Sequence, residues 1–209
     1  MKTLIAVPCM DFVPTDFLVS FVSMNRPSEA DFAFTHSSLV YDARNSLAQT
    51  AMDGDYDRVL WIDSDMTFDS DAMAELSHDL DDGRRVVGGL CFTRRNTKPV
   101  IYSEVGIRPR EDGRIEPYRT YMEIYPRNAL FKVAGIGAGF LMMETSVIRE
   151  VCERFGPPFF PEIGFGEDLS FCRRCTRLGI DIWCDSSVKI GHIGQTVIDE
   201  ATYIFGVKK

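Results

Sequence analysis

Val59-Leu-Trp-Ile-Asp63-Ser-Asp65-Met66 decides how this chain is read. A short apolar run, opened by Arg58, ends in two carboxylates two residues apart. A run of this length and composition reads as a strand buried on both faces. In open α/β sheets, ligands gather outside the carboxyl ends of the strands. If the backbone stays extended through Asp65, both carboxylates point to one face. With no basic residue beside them, they repel one another unless a cation joins them. Mg²⁺ or Mn²⁺, which bridge carboxylates to substrate phosphates, suits the pair. An Asp-rich turn capping the next helix accounts for Asp69. A calcium-loop reading of Asp63 to Asp71 fails because Phe68 stands where glycine is needed. A bare DxD recurs by chance, so its weight depends on what surrounds it.

Working outward, apolar runs alternate with helical patterns, which is the signature of an α/β domain. Leu4 to Val7 reads as a first strand ending at Pro8. From His36 to Met52, apolar positions Leu39, Ala43, Leu47 and Ala51 mark a helix that stops near Gly54. After the DxD, Asp69 or Ser70 is placed to cap a helix through Leu80, with Gly83 at its exit. Val86 to Phe92 gives another strand. Val100 to Ile107 and the stretch from Arg114 read as a hairpin turned by Asp112-Gly113. Phe140 to Met143 is a strand, with Thr145 capping the helix that ends at Gly156. Residues 156–166, rich in Pro, Phe and Gly, read as a flexible loop. A helix after Asp168, strands at Ile180–Cys184 and Val188–His192, and a terminal helix at Val197–Ile204 complete the pattern.

Composition narrows the function classes. The 209 residues are 45% hydrophobic and 26% charged, enough for one domain with a full core. No apolar run reaches the roughly 18 residues that span a bilayer. Residues 1–8 make too short an apolar stretch for a signal peptide, so a cytoplasmic protein without membrane insertion is expected. The net charge of −8 argues against a non-specific nucleic-acid binder. It is unevenly spread: residues 53–82 hold 11 acids against one Arg, and residues 84–132 hold 11 basic groups against 5 acids. Such a division suits a cation plus an anionic ligand, or two solvated faces. The six cysteines are expected to be reduced. Cys172 and Cys175 have CxxC spacing but share the helical stripe of Leu169, Phe171 and Leu178, so they read as core residues.

Three further clusters bear on chemistry. Gly166-Glu167-Asp168 opens a helix, where the dipole favours anions by about 0.3–1 kcal/mol. A glycine loop there also presents a carboxylate to a cleft as a general base. Gly191-His192-Ile-Gly194 leaves a histidine at a strand end without an apolar face to pack on, and imidazole is a good Mn²⁺ ligand. Gly135-Ile-Gly137-Ala-Gly139 precedes a strand rather than a helix. It therefore lacks the phosphate-cradling geometry of a dinucleotide site and instead permits close backbone approach.

In this order the pieces resemble the glycosyltransferase A-type fold, particularly family-two-like nucleotide-sugar transferases, including short phage- or prophage-type members. The matching stretches are the strand ending in Pro8, Ala43-Arg44-Asn45, Leu60 to Met66, Val133 to Phe140, Phe165 to Cys172, and His192. The resemblance implies one domain over 1–209 with a mixed central sheet flanked by helices. Residues 1–92 would form the nucleotide-binding half and 93–209 the acceptor and catalytic half. It implies that Asp63 contacts the ribose or the metal shell, that Asp65 binds Mn²⁺ (or Mg²⁺), and that His192 completes the metal site. Pro8 would begin the loop around the base and Arg44 would lie near the nucleotide. An ion pair is the other reading of Arg44, whose neighbours are Asp42 and Asn45. Asp168 would deprotonate an acceptor hydroxyl in an inverting displacement, with Glu167 beside it on acceptor or sugar. The donor implied is a nucleoside-diphosphate sugar, in the first instance a UDP-sugar. The acceptor stays open among glycan, protein, small molecule and modified nucleic acid.

Two rivals share parts of this pattern. A nucleotidyltransferase would usually carry a Gly-rich, basic loop after the first strand, whereas Pro8-Cys-Met-Asp-Phe-Val-Pro14 has no Gly, Lys or Arg. A nucleotide-sugar-binding module without turnover would have no need for a candidate base.

Overall fold

Arg58-Val-Leu-Trp-Ile62 is buried at every position because it runs through the middle of the sheet with helices on both faces. The computed structural model describes residues 1–94, 96–194 and 199–205. In chain order its elements are β1 (Thr3–Cys9), α1 (Thr15–Ser23), β2 (Ala30–His36), α2 (Val40–Asp53), β3 (Arg58–Ile62), β4 (Met66–Thr67), α3 (Ala72–Asp81), β5 (Val86–Leu90) and β6 (Ile101–Pro109). There follow β7 (Ile115–Tyr121), β8 (Leu130–Val133), β9 (Gly135–Ile136), β10 (Phe140–Glu144), α4 (Thr145–Phe155), α5 (Glu167–Arg177), β11 (Ile182–Lys189), β12 (Gly191–His192) and α6 (Glu200–Phe205).

The main sheet has seven strands in the order β2-β1-β3-β10-β5-β11-β8. β1 is parallel to both β2 and β3, while β10 runs antiparallel between β3 and β5. The pleat sorts alternate residues to opposite cores. Leu4, Ala6, Val59 and Trp61 pack with Leu47, Ala51, Val147, Ile148 and Phe171 from α2, α4 and α5. Ile5, Val7, Leu60 and Ile62 pack with Phe17, Phe21, Met73 and Leu76 from α1 and α3. Cys172 and Cys175 lie in the first of these cores as free thiols, as their stripe implied.

Several expectations need correction. The patterning did not announce α1 or β2: α1 is nine residues with apolar groups on its exposed side as well, so no clean helical stripe stands out. The helix placed from His36 begins at Val40, and Ser37 to Leu39 form a loop instead. Neither Asp69, Ser70 nor Thr145 caps through its side chain; Asp71 and Glu144 hold the cap positions, and the Thr145 hydroxyl is buried without a partner among the described residues. The strands at Ile180–Cys184 and Val188–His192 are one strand, β11, irregular between Asp185 and Lys189, followed by the short β12. The hairpin forms as β6–β7, closed around Gly113 at φ 78°. Of the terminal helix, α6 covers Glu200–Phe205, and positions 197 and 198 lie outside the described residues.

The loop 156–166 is pinned rather than free. Phe159 is fully buried, stacked on Phe171 at 4.7 Å and edge-on to Trp61 at 4.8 Å. Arg174 donates to the carbonyls of Pro158 and Phe160, and the Asn45 side chain accepts from the Phe159 N–H. Among the described residues, no helix is long and apolar enough to cross a membrane.

Candidate active site

The site is assembled where β3 stops. The chain does not stay extended through the DxD; the Met66 N–H donates to the Asp63 carbonyl at 3.1 Å, closing a turn. The Asp63 N–H donates to the Gly139 carbonyl at 2.9 Å, which fastens this turn to the start of β10. β4 then pairs with β12, setting His192 opposite Met66, and the Ile193 N–H donates to the Asp65 carbonyl at 2.8 Å. That two-stranded ladder carries His192 to the DxD from 127 residues further along the chain.

The two carboxylates have basic neighbours that the local sequence does not show. Arg44, only 1% exposed, donates through Nη2 to Asp63 at 2.6 Å and through Nε to Glu167 at 3.3 Å. Its pair partners are therefore the DxD and the Glu167-Asp168 motif, not Asp42. Burial works against the Arg44 charge, but Asp63, Glu167 and Asp168 outweigh it and raise its pKa. The guanidinium also lies over the rings of Trp61 and Phe159, and its Nη1 is buried without a partner among the described residues. Asp65 instead faces Arg94 at 3.1 Å and His192 Nε2 at 3.3 Å. Burial opposes ionisation of Asp65, yet these two partners draw its pKa below the ordinary value. Burial of Asp63 raises its pKa against the pull of Arg44.

His192 Nδ1 lies 2.8 Å from the Phe92 carbonyl. Donation to that carbonyl fixes the tautomer and leaves Nε2 directed at Asp65. Burial lowers the pKa of the ring, while Asp65 and the Phe92 carbonyl raise it by more. On α5, Glu167 and Asp168 occupy the first turn after Gly166. The Leu169 N–H donates to Asp168 Oδ1 at 2.6 Å. Burial, reinforced by Glu167, nonetheless pushes Asp168 up to about 6.

These groups line two adjoining clefts that share Asp63 and Arg94. The first is bounded by Pro8, Cys9, Met10, Ser37, Ser38 and Asp65. The second holds Arg44, Gly137, Gly139, Glu167, Asp168 and His192. Glycine leaves room in the floor: a Cβ on Gly139 would displace the end of the Met66 side chain, and one on Gly137 would come within 2.7 Å of the Val100 side chain. The structure thus brings together all seven sequence-nominated residues: Pro8, Arg44, Asp63, Asp65, Glu167, Asp168 and His192. Sequence reasoning missed Arg94, which follows β5 in the basic segment and carries no motif.

The donor set fits a hard divalent ion sparingly. Among the described residues no group of three or more His, Cys, Asp or Glu is arranged to hold a metal. Asp63 is turned to Arg44, which leaves Asp65 and His192 as the facing pair. Two protein ligands suffice for Mg²⁺ or Mn²⁺ when substrate phosphates and water supply the rest. Four acids, Asp63, Asp65, Glu167 and Asp168, face two guanidiniums, Arg44 and Arg94, so acidic groups outnumber the fixed cations of the site. The basic segment 84–132 is largely paired: Arg85 with Glu144 and Glu150, Lys98 with Glu123, Arg108 with Glu116, and Lys132 with Asp181.

The fold is glycosyltransferase-like, a single mixed α/β domain with a seven-stranded mixed sheet flanked by helices. Solved structures that share it include two of low sequence identity. A197 from STIV superimposes with a TM-score of 0.65 at 21% identity, over 93% of this chain and 86% of that one. S. aureus TarS 1–349 superimposes with a TM-score of 0.54 at 15% identity, over 89% of this chain and 58% of that one. This chain therefore spans a little over half of that TarS structure, and at such identities the likeness is one of fold. No protein-family model matches the sequence, and no curated protein does.

Proposed function

We propose that the protein transfers a sugar from a nucleoside-diphosphate sugar, in the first instance a UDP-sugar, to an acceptor hydroxyl. The observation that carries this reading is the convergence of the DxD, the Glu167-Asp168 pair and His192 on two adjoining clefts at the strand ends. The likeness in fold to TarS, a glycosyltransferase, supports sugar transfer in general. The Pro8 cleft takes the nucleotide and the Asp168 cleft takes the sugar and the incoming hydroxyl.

In this reading the bond from the anomeric carbon to the diphosphate oxygen breaks as the bond to the acceptor oxygen forms. The acceptor proton passes to Asp168, whose raised pKa suits a base working near neutrality. Arg44 holds Asp63 and Glu167 at a fixed separation, so that the nucleotide-facing and acceptor-facing acids keep one geometry. Arg94, 54% exposed and at the boundary of both clefts, is placed to turn from Asp65 to the leaving diphosphate. Asp65 and His192 would hold Mn²⁺ or Mg²⁺, which when bound supplies positive charge to the departing diphosphate.

Calorimetry of UDP binding with and without Mn²⁺ tests the donor site. The parent should bind UDP more tightly with Mn²⁺, and Asp65→Ala and His192→Ala should lose most of that gain. Saturation at about 100 times the dissociation constant should add roughly 2.7 kcal/mol of stability. Metal dependence that survives in both variants would reject the shared cation.

A further inference from the structure

β2 is the outermost strand of the main sheet and pairs with β1 on one side only. Among the described residues nothing pairs with its other edge. Soluble proteins usually blunt such an edge with lysine, proline or a bulge. Ala30–His36 has none of these, and its register with β1 is unbroken. Its polar side chains Asp31 and His36 are already engaged within the chain, Asp31 by the Tyr56 hydroxyl at 2.8 Å and His36 by Asp11 at 2.7 Å.

Beside this edge runs an apolar strip. Phe32 and Phe34, two residues apart on one face, are 56% and 44% exposed, and both meet the Phe21 ring of α1. Phe17 and Phe21 face inward, which turns Leu18 and Val22, one position on, to the flank of α1; they are 49% and 68% exposed. Val19 adds a further 59% exposed side chain. With the two rings presenting roughly 150–250 Å² each when fully exposed and the three aliphatic side chains somewhat less, the strip offers about 450 Å² of apolar surface at these exposures. A standard interface takes about 800 Å² from each partner, a little over half of it apolar. The strip therefore supplies the apolar share that one stable contact needs.

We infer that this edge pairs with the same edge of a second copy of the chain, making a two-fold dimer with one continuous sheet. Antiparallel pairing about Ala33 sets Phe32 opposite Phe34 of the second copy, and Phe34 opposite its Phe32. The four rings form one cluster, the aromatic cross-strand pairing that stabilises sheets. In this register Asp31 opposes Thr35 rather than another acid. A lipid surface is the poorer occupant, because residues 10–40 carry four acids against the single Arg26, and surface-binding helices are rich in Lys and Arg.

Sedimentation velocity from about 1 to 100 μM tests the dimer. The parent should sediment at twice its 23.6 kDa mass. Leu18→Lys with Val22→Lys should give a monomer with an unchanged circular dichroism spectrum, since both side chains are exposed in the protomer. Under mild oxidation Ala33→Cys should form a covalent dimer, whereas the parent and Asp31→Cys should not. A parent that stays monomeric throughout overturns the proposal, as does a dimer unaffected by the lysine pair. A dimer in which Ala33→Cys fails to cross-link rejects the edge pairing. A monomeric parent that floats with anionic vesicles assigns the strip to a membrane instead.

Discussion

Replacing Asp168 with asparagine separates its role in turnover from its role in the fold, because the two carry opposite signs. Its folded pKa of about 6 stands above the ordinary carboxyl value of 3.8, and burial is the main cause. A carboxyl raised in the folded state contributes stability that is fully present below about pH 3.8 and is lost as pH rises through about 6. The difference of about two pKa steps corresponds to roughly 3 kcal/mol, less where solvent reaches the group. Asparagine keeps the shape and can still accept from the Leu169 N–H, but it has no charge to desolvate. Asp168→Asn should therefore be more stable than the parent at pH 8, by about 1–3 kcal/mol. That advantage should shrink towards pH 4, as read from urea unfolding at each pH. The same variant should lose at least about a hundredfold in transfer if Asp168 is the base. Parent turnover should rise from pH 5 to 7 as the carboxyl ionises. If Asp168 is instead a favourable charge at the helix start, asparagine should cost up to about 1 kcal/mol at pH 8. A stability loss at pH 8, or transfer within a few-fold of the parent, would refute the reasoning.

Other substitutions have equally definite outcomes. Arg44→Ala strips Asp63 and Glu167 of their shared counter-charge in a buried setting, and urea unfolding should show a loss of about 3–5 kcal/mol. Arg44→Lys keeps the charge without the two-armed geometry and should recover only part of it. Phe159→Ala removes the ring between Trp61 and Phe171 and should cost about 3–5 kcal/mol, with new protease cleavage within residues 156–166 as a second readout. If Arg94 serves the diphosphate as proposed, Arg94→Ala should weaken binding of UDP several-fold but leave uridine binding unchanged. Equal weakening of both ligands would count against that placement.

Much of the fold was legible because its central strands are buried on both faces, so Arg58–Ile62 and Phe140–Met143 read as apolar runs without any knowledge of their neighbours. The edge was less legible: Ala30–His36 pairs on one side only, and α1 lacks both a capping side chain and a polar outer face. Within the site, the residue types in Asp63-Ser-Asp65 and Gly166-Glu167-Asp168 pointed to chemistry. What the spacing could not convey was their electrostatic setting. Arg44 reaches Glu167 across 123 positions, and Arg94 reaches Asp65 from the end of another strand. An expectation of bare, mutually repelling carboxylates thus gave way to two acids with separate basic partners. The pinned loop was illegible for a related reason. Pro, Gly and Phe in residues 156–166 mark irregular backbone, but whether such backbone moves depends on Arg174, Asn45 and Phe171 elsewhere in the chain.

The most direct test of sugar transfer is identification of the nucleotide released when the purified protein meets a panel of UDP-sugars with Mn²⁺. The account predicts UDP as the nucleotide product from at least one donor, with release abolished in Asp65→Ala and reduced at least about a hundredfold in Asp168→Asn. Release of a sugar 1-phosphate in place of UDP, the mark of nucleotidyl transfer, or UDP release that proceeds equally well in Asp168→Asn, would contradict it.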